Sequence, residues 1–435
     1  MKCRFIKQCC ALLVLVLNVS SAWAAVSSTE SKIVKHIDST HPEAVKLLEK
    51  VVNINSGTMN FAGVRQVADV LIPEFEKLGF DARFEEGSSF NRAGHLVAEL
   101  HGGKGPKLLL IGHLDTVFEP DSPFQQFEYV SDNVAKGPGI ADMKGGDIVI
   151  LQSLRALQAA GELSDMNIMV VMTGDEELSG RPLTLSKKAL IDGAKWADIA
   201  LGFENGDGNP KTANISRRGS IDWTLNVTGV PSHSSQIFKD DVGAGAIYEA
   251  ARVLNTFYTE LREEKLLTYN PGRIMGGTTV THSSAENSGT TFGKNNVVAE
   301  TAIVTGDIRA ISEEQVARVK NKMEAIVANH LPQTQSKIDF GEGYPPLAPT
   351  EGNKKLLSIY SNVSEELGFG KVEAVDPLNA GAADVSFTSA YVDMAIDGLG
   401  MSGTAGHTVE EKGNIDSLSS QAKRAAVLMY RLKSN

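Results

Sequence analysis

"NIMVVMTGDEELSG", residues 167–180, decides how this chain is read. Asn167 to Thr173 is apolar almost throughout, and three neighbouring carboxylates, Asp175, Glu176 and Glu177, follow at once. A short apolar run closed by glycine is the pattern of a strand covered on both faces, as in a parallel sheet. Like charges at the edge of a core are unfavourable unless something compensates them. The stretch therefore predicts an α/β sheet and a functional site at the carboxyl end of this strand.

Neighbouring segments extend the pattern. "HLVAEL" (95–100), "KLLLIG" (107–112) and "WADIALGFE" (196–204) read as further strands. His41 to Val52, Val64 to Leu78 and "GDIVILQSLRALQAAG" (146–161) have helical apolar spacing, with Gly161 as a stop. Strands alternating with helices give a mostly parallel sheet with helices on both faces. From Ser220 the pattern changes. "SIDWTLNVTG" (220–229) alternates with period two, and a helix over 242–261 follows. Then come strands "TTVTHSS" (278–284) and "AETAIVTGDIRA" (299–310), a helix over 312–331 opened by Ser312, and strand "SKIDFGEG" (336–343). That βαββαβ order predicts a ferredoxin-like α+β domain with one face of its sheet covered. "NKKLLSIYSNVSEELG" then returns to helical spacing, "VDMAIDGLG" gives another strand, and a helix from Ser417 to Leu432 closes the chain after Asp416 as its cap. The expected plan is one α/β domain, 25–215 and 346–435, interrupted by an inserted domain, 216–345.

At 435 residues the chain exceeds what one core serves, which agrees with two domains. Met1 to Ala24 reads as a cleavable secretory signal. Lys2, Arg4 and Lys7 precede the apolar run Ala11–Leu17, and Ala22-Trp23-Ala24 carries small residues where a signal peptidase reads, so cleavage is expected before Ala25. The run is shorter than the roughly 20 residues of a membrane span, so no anchor is expected after cleavage. The expected destination is the periplasm or the exterior. Cys3, Cys9 and Cys10 all lie in this segment, leaving the mature chain without cysteine in an oxidising compartment. Lys2, Arg4 and Lys7 depart with it, so the net formal charge of −11 becomes −14, which argues against nucleic acid as a partner.

Ligands of an open α/β sheet gather at the carboxyl ends of its strands. After "LLLIG" come His113 and Asp115, which point the same way in extended chain. "GPGIADMKGG" delivers Asp142 between glycines. Glu176 and Glu177 follow their strand, Glu204 follows "ADIALGF", and His407 lies in "SGTAGHTVEE". Taken singly, each reads as a loop acid, a cap or a hydrogen-bonded histidine, and Glu410 and Glu411 read as a solvated face. Together, five strand ends bearing acids or histidines ask for something positive at their centre. One or two divalent cations satisfy that demand, and imidazoles with carboxylates but no thiolate suit zinc or a similar transition ion.

"GHLDTVF", "GPGIADMKGG", "TGDEELSG", "GFENG" and "GTAGH" resemble the motif set of the glutamate carboxypeptidase, aminoacylase and succinyl-diaminopimelate desuccinylase family of co-catalytic zinc hydrolases. The likeness runs from about His36 to the end and includes the inserted βαββαβ domain, which in that family is a lid. The resemblance implies two zinc ions bridged by Asp142. Glu177 and His407 would complete one site, and His113 and Glu204 the other. Asp115 would orient His113, and Glu176 would be the general base. His233 in "GVPSHSS" would reach the partner subunit's active site in a homodimer formed through the lid, and Asn296 and Arg309 would contact substrate.

The implied activity is that of an exported carboxypeptidase of glutamate carboxypeptidase type, acting on a small peptide or N-acyl amino acid. An N-acyl-amino-acid deacylase is the alternative within the chemistry, and a silent peptide-binding protein the alternative outside it. Two departures bear on glutamate specificity. "GEGYPPL" (341–347) replaces an arginine-bearing "RGRPAF"-like stretch, and Ala382 or Ala383 in "NAGAADVSF" stands where the family carries threonine.

Overall fold

The computed structural model describes residues 27–283 and 287–434. The expected signal, Met1 to Ala24, and its three cysteines lie outside the described residues. The central sheet has six strands, in spatial order Asp81–Glu86, Gly94–His101, Met166–Thr173, Lys104–His113, Ile199–Gly202, Met394–Ile396. The last four are parallel neighbours, and the first two add an antiparallel edge.

Alternate side chains of one strand enter different cores. Leu108, Leu110, Ile168, Val170 and Met172 pack with the helices Ser28–Val52, Gly145–Ala160 and Ile415–Ser434. Leu109, Ile111, Met169 and Val171 pack on the other face with Leu190, Ala194 and Phe387. Each such side chain contributes roughly 1.5–3 kcal/mol by leaving water, and burial on both faces is why the run shows no alternation. Register then aligns the strand ends, with His113 opposite Thr173 and Ile111 opposite Gly202.

The inserted unit is an antiparallel sheet in the order Thr268–Gly277, Thr301–Arg309, Ile221–Gly229, Thr334–Phe340. Helices Gly245–Leu261 and Glu313–Val327 cover one face around Trp223, Leu225, Phe257, Val304 and Met323. This is the ferredoxin-like arrangement. The chain enters and leaves through paired crossings, with Arg217 bridged to Leu347 and Ser220 to Tyr344.

Several boundaries differ from the sequence reading. The second strand of the inserted sheet is Thr268–Gly277, whereas Thr279–Ser283 forms a separate hairpin with Ser288–Phe292. Pro271 and three glycines hide the true strand, and its edge position with a register shift at Pro271 tolerates them. The first helix begins at Ser28, not near His41, because Ser27 and Glu30 cap it reciprocally. Asp416 lies inside the last helix, and Asn414 Oδ1 accepts the N–H groups of Asp416 and Ser417 instead. Among the described residues, no helix is long and apolar enough to cross a membrane.

Candidate metal centre

Five predicted residues form one cluster: His113, Glu177 and Glu204 come from the aligned strand ends, Asp142 from the turn before helix Gly145–Ala160, and His407 from the loop between Gly403–Thr404 and Lys412–Asn414. His113 Nε2 lies 3.2 Å from Asp142 Oδ1 and 3.5 Å from Glu204 Oε1. The other oxygen of Asp142 lies 3.1 Å from His407 Nε2, which is 3.2 Å from Glu177 Oε2. Asp142 therefore stands between two imidazoles, each with a further glutamate. The turn carrying it departs from helix at Asp142 (φ −119°, ψ 91°), and the Asp142–Met143 peptide bond is cis. His407 occupies the left-handed region (φ 62°), uncommon for a non-glycine residue and frequent at functional sites.

Asp115 acts on two fronts. Its backbone carbonyl lies 3.0 Å from His113 Nδ1 and its Oδ1 lies 3.5 Å away, so the main chain makes the closer contact with the imidazole. The carboxylate accepts the N–H groups of Glu176 (3.1 Å) and Glu177 (3.2 Å) and the Thr58 hydroxyl (2.6 Å). It thus holds the acid loop against the histidine strand. Asp175 turns inward. Buried Lys187 contacts it at 2.9 Å and Asp384 at 3.0 Å, while Gly180 N–H and the Ser186 hydroxyl donate to its other oxygen. Burial alone would raise Asp175, but Lys187 keeps it below the usual aspartate range.

The remaining acids show the electrostatic problem. Burial, then Asp142, pushes Glu204 up to about 7. Burial and Glu204 hold Glu176 well above the carboxylate range. Burial raises Glu177 as well, against the His407 hydrogen bond. Hydrogen bonds to Asp142 and Glu177 push His407 up to about 11. A cation at the centre would reverse these directions.

The donors fit a metal. His113, Glu176 and Glu204, and separately His113, Asp142 and Glu177, present ligand atoms within 4.8 Å of one another. Glu177 Oε1 is buried with no hydrogen-bond partner among the described residues, as a ligand atom would be. Imidazole and carboxylate without thiolate is a zinc-compatible set.

Three predicted residues lie apart from the cluster's contacts. His233 is exposed on the inserted domain and bonds Ser235 Oγ through Nδ1 at 2.9 Å. The exposed Asn296 accepts the Ser234 N–H on its backbone carbonyl, so its segment lies against the turn that carries His233. Arg309 pairs with Asp307 at 2.8 Å.

Sequence reasoning missed several supports. Glu411, read as solvated, is fully buried and accepts three backbone N–H groups. Asp397 accepts the Glu204 N–H and pairs with Arg217 at 2.7 Å; Gly202 leaves room for it, since a Cβ there would meet Asp397 Oδ1 at 2.3 Å. The strand-end rule applied to "VDMAIDGLG" would have found Asp397. Tyr344 places its hydroxyl near the Glu176 carbonyl (3.1 Å), Asp384 (3.2 Å) and Ser179 Oγ (2.9 Å), and no motif announced it.

A model of peptidase family M20/M25/M40 matches residues 109–431. Carboxypeptidase G2 of Pseudomonas sp. (strain RS-16) is 28% identical over 377 residues, covering 84% of this chain and 83% of the relative. Among solved structures, aminopeptidase PepT from Bacillus cereus superposes with a TM-score of 0.68 at 17% identity, covering 90% of this chain and 98% of that one. A dinuclear metal-binding peptidase of the M20 family from Bacillus subtilis superposes with a TM-score of 0.61 at 13% identity, covering 92% and 99%. At these identities the structural likenesses establish the fold.

Proposed function

The chain belongs to peptidase family M20/M25/M40, a hydrolase of peptide or amide bonds, and we propose that within it the protein is a two-zinc carboxypeptidase of glutamate carboxypeptidase type, exported and dimeric. The observation that carries the reading is Asp142 held between His113 and His407, with Glu204 and Glu177 on the outer sides. The likeness to carboxypeptidase G2 supports the choice of peptide end, and the likeness to a dinuclear metal-binding peptidase supports two ions.

His113, Asp142 and Glu204 would hold one ion, and Asp142, Glu177 and His407 the other. Bound there, zinc supplies Lewis acidity at the scissile carbonyl and brings the pKa of water toward about 7. Glu176, presented by the loop that Asp115 clamps, takes a proton from the attacking water and delivers it to the leaving amine. Water adds to the acyl carbon, the C–N bond breaks, and a carboxylate and an amine leave. The partner subunit's His233 donates to the developing oxyanion. Asn296 lies against the His233 turn, and Arg309 would bind a substrate carboxylate only in competition with Asp307. The exposed Ile247, Tyr248, Ile274 and Phe292 of the lid support a subunit interface there. The signal read in Met1 to Ala24 supports export.

The test is zinc content of the purified protein by elemental analysis, then hydrolysis of acyl-glutamates and dipeptides before and after chelation. Bound zinc with chelator-sensitive release of a C-terminal amino acid is expected. Preference for simple N-acyl amino acids would make it a deacylase, and zinc binding without any cleavage a binding protein. Mixing His233→Ala with Glu176→Gln protein should restore activity through subunit exchange if the histidine works across the dimer.

A further inference from the structure

Glu411 stands four residues after His407, and its carboxylate sits inside the turn that carries Asp142. Gly139 N–H donates to Oε2 at 3.1 Å, while Ala141 and Asp142 N–H donate to Oε1 at 2.9 and 3.1 Å. The residue is 0% exposed. A buried carboxylate without donors is strongly unfavourable, and three backbone N–H groups converging on one are the usual compensation. Gly139 makes the convergence possible: its φ is +72°, and a Cβ there would meet Thr116 Cγ2 at 2.5 Å. One of the three donors is the N–H of Asp142 itself, so the clamp acts on the main chain of a ligand.

The other end of the clamp is equally constrained. Glu411 N–H donates to the Thr408 carbonyl at 3.0 Å, and Thr408 N–H to the Ala405 carbonyl at 3.2 Å, which closes the loop around His407. Directly after Glu411, Lys412–Asn414 pairs with Val134–Lys136, just upstream of the Asp142 turn. Two segments 270 residues apart in the chain are thus joined through one side chain.

We propose that Glu411 is a positioning residue: its buried carboxylate staples the His407 loop to the Asp142 turn and so prearranges the Asp142–Glu177–His407 metal site. It touches no substrate and, with both oxygens taken by N–H groups, is not a ligand. The inference rests on the two-zinc reading. Partners behind the ligands of a metal site commonly carry a 10–100-fold share of its affinity.

The experiment compares wild type with Glu411→Gln and Glu411→Asp. Each is stripped of metal, checked for a cooperative thermal transition, and titrated with zinc against a chromophoric chelator. Wild type should take up two equivalents. In Glu411→Gln the amide group faces the Gly139 N–H as a second donor, and one equivalent should weaken by about 10–100-fold while the other changes far less. Raised free zinc should then restore turnover. Glu411→Asp keeps the charge but falls short by one methylene, and should weaken the same equivalent. Two equivalents at wild-type affinity in a folded variant would overturn the proposal. So would equal weakening of both in step with a lost thermal transition, which is what a purely structural role produces. A wild type that takes up no zinc would instead overturn the two-zinc reading beneath it.

Discussion

Glu249 in the inserted domain and Glu204 at the end of the central sheet are both enclosed glutamates, yet their surroundings push them in opposite directions. Burial alone would raise Glu249, but Arg252, the Leu331 N–H and the Ser336 hydroxyl together hold it below the usual range. Glu204 is pushed up to about 7 by burial and by Asp142, with His113 the nearest relief. Glu176 and Glu177 are raised for the same reason. The lid compensates its acid with its own donors, whereas the sheet gathers acids faster than it supplies cations. That difference separates a structural acid from a cluster whose donors suit a cation.

The largest effect should come from Glu176→Gln, the residue proposed as the base. Turnover should fall by about 10²–10⁴-fold with zinc content unchanged by elemental analysis. Loss of zinc along with turnover would move Glu176 into the ligand set, where its approach to His113 and Glu204 also allows it.

A second prediction sharpens the contrast through pH. A glutamate whose folded pKa lies above its unfolded value of about 4.3 lets the folded chain bind the proton more tightly. The metal-free protein should therefore lose stability as pH rises from about 4.3 to about 7, where Glu204 ionises. Chemical denaturation of the metal-free chain should show that fall; zinc should flatten it, and Glu204→Gln should reduce it, leaving the part that Glu176 and Glu177 contribute. Glu249 carries the opposite sign. Its stabilisation is present above the unfolded pKa and disappears as pH falls through the depressed folded value. Glu249→Gln should cost about 1–3 kcal/mol at neutral pH and remove that part of the acid limb. Equal pH slopes for the two variants would break the comparison.

The smallest effect belongs to Tyr344→Phe. Its hydroxyl links the return from the lid to the Glu176 carbonyl and to Asp384. We expect a loss in kcat of about tenfold or less, with zinc affinity unchanged, since a neutral hydrogen bond is worth about 0.5–1.5 kcal/mol. Steady-state kinetics beside a zinc titration checks this.

What the sequence revealed follows the same division. Residues that must sit at strand ends were legible, because an apolar run followed by an acid or histidine is a local pattern. His113, Glu177 and Glu204 carried it, whereas Asp142 and His407 stood out through their glycine-flanked motifs. Their supports were not, because Glu411, Lys187 and Tyr344 do their work across long separations, and a buried charge looks like a surface charge until its donors are known. The misread lid strand has a similar cause. Thr268–Gly277 sits at a sheet edge, where Pro271 and glycines are tolerated and the alternation fades.

The central claim is that two cations neutralise this cluster, and anomalous diffraction at the zinc edge from zinc-loaded crystals tests it most directly. The account predicts two peaks, one among His113, Asp142 and Glu204 and one among Asp142, Glu177 and His407. No peak within ligand distance of Asp142, or zinc confined to surface histidines, would contradict it.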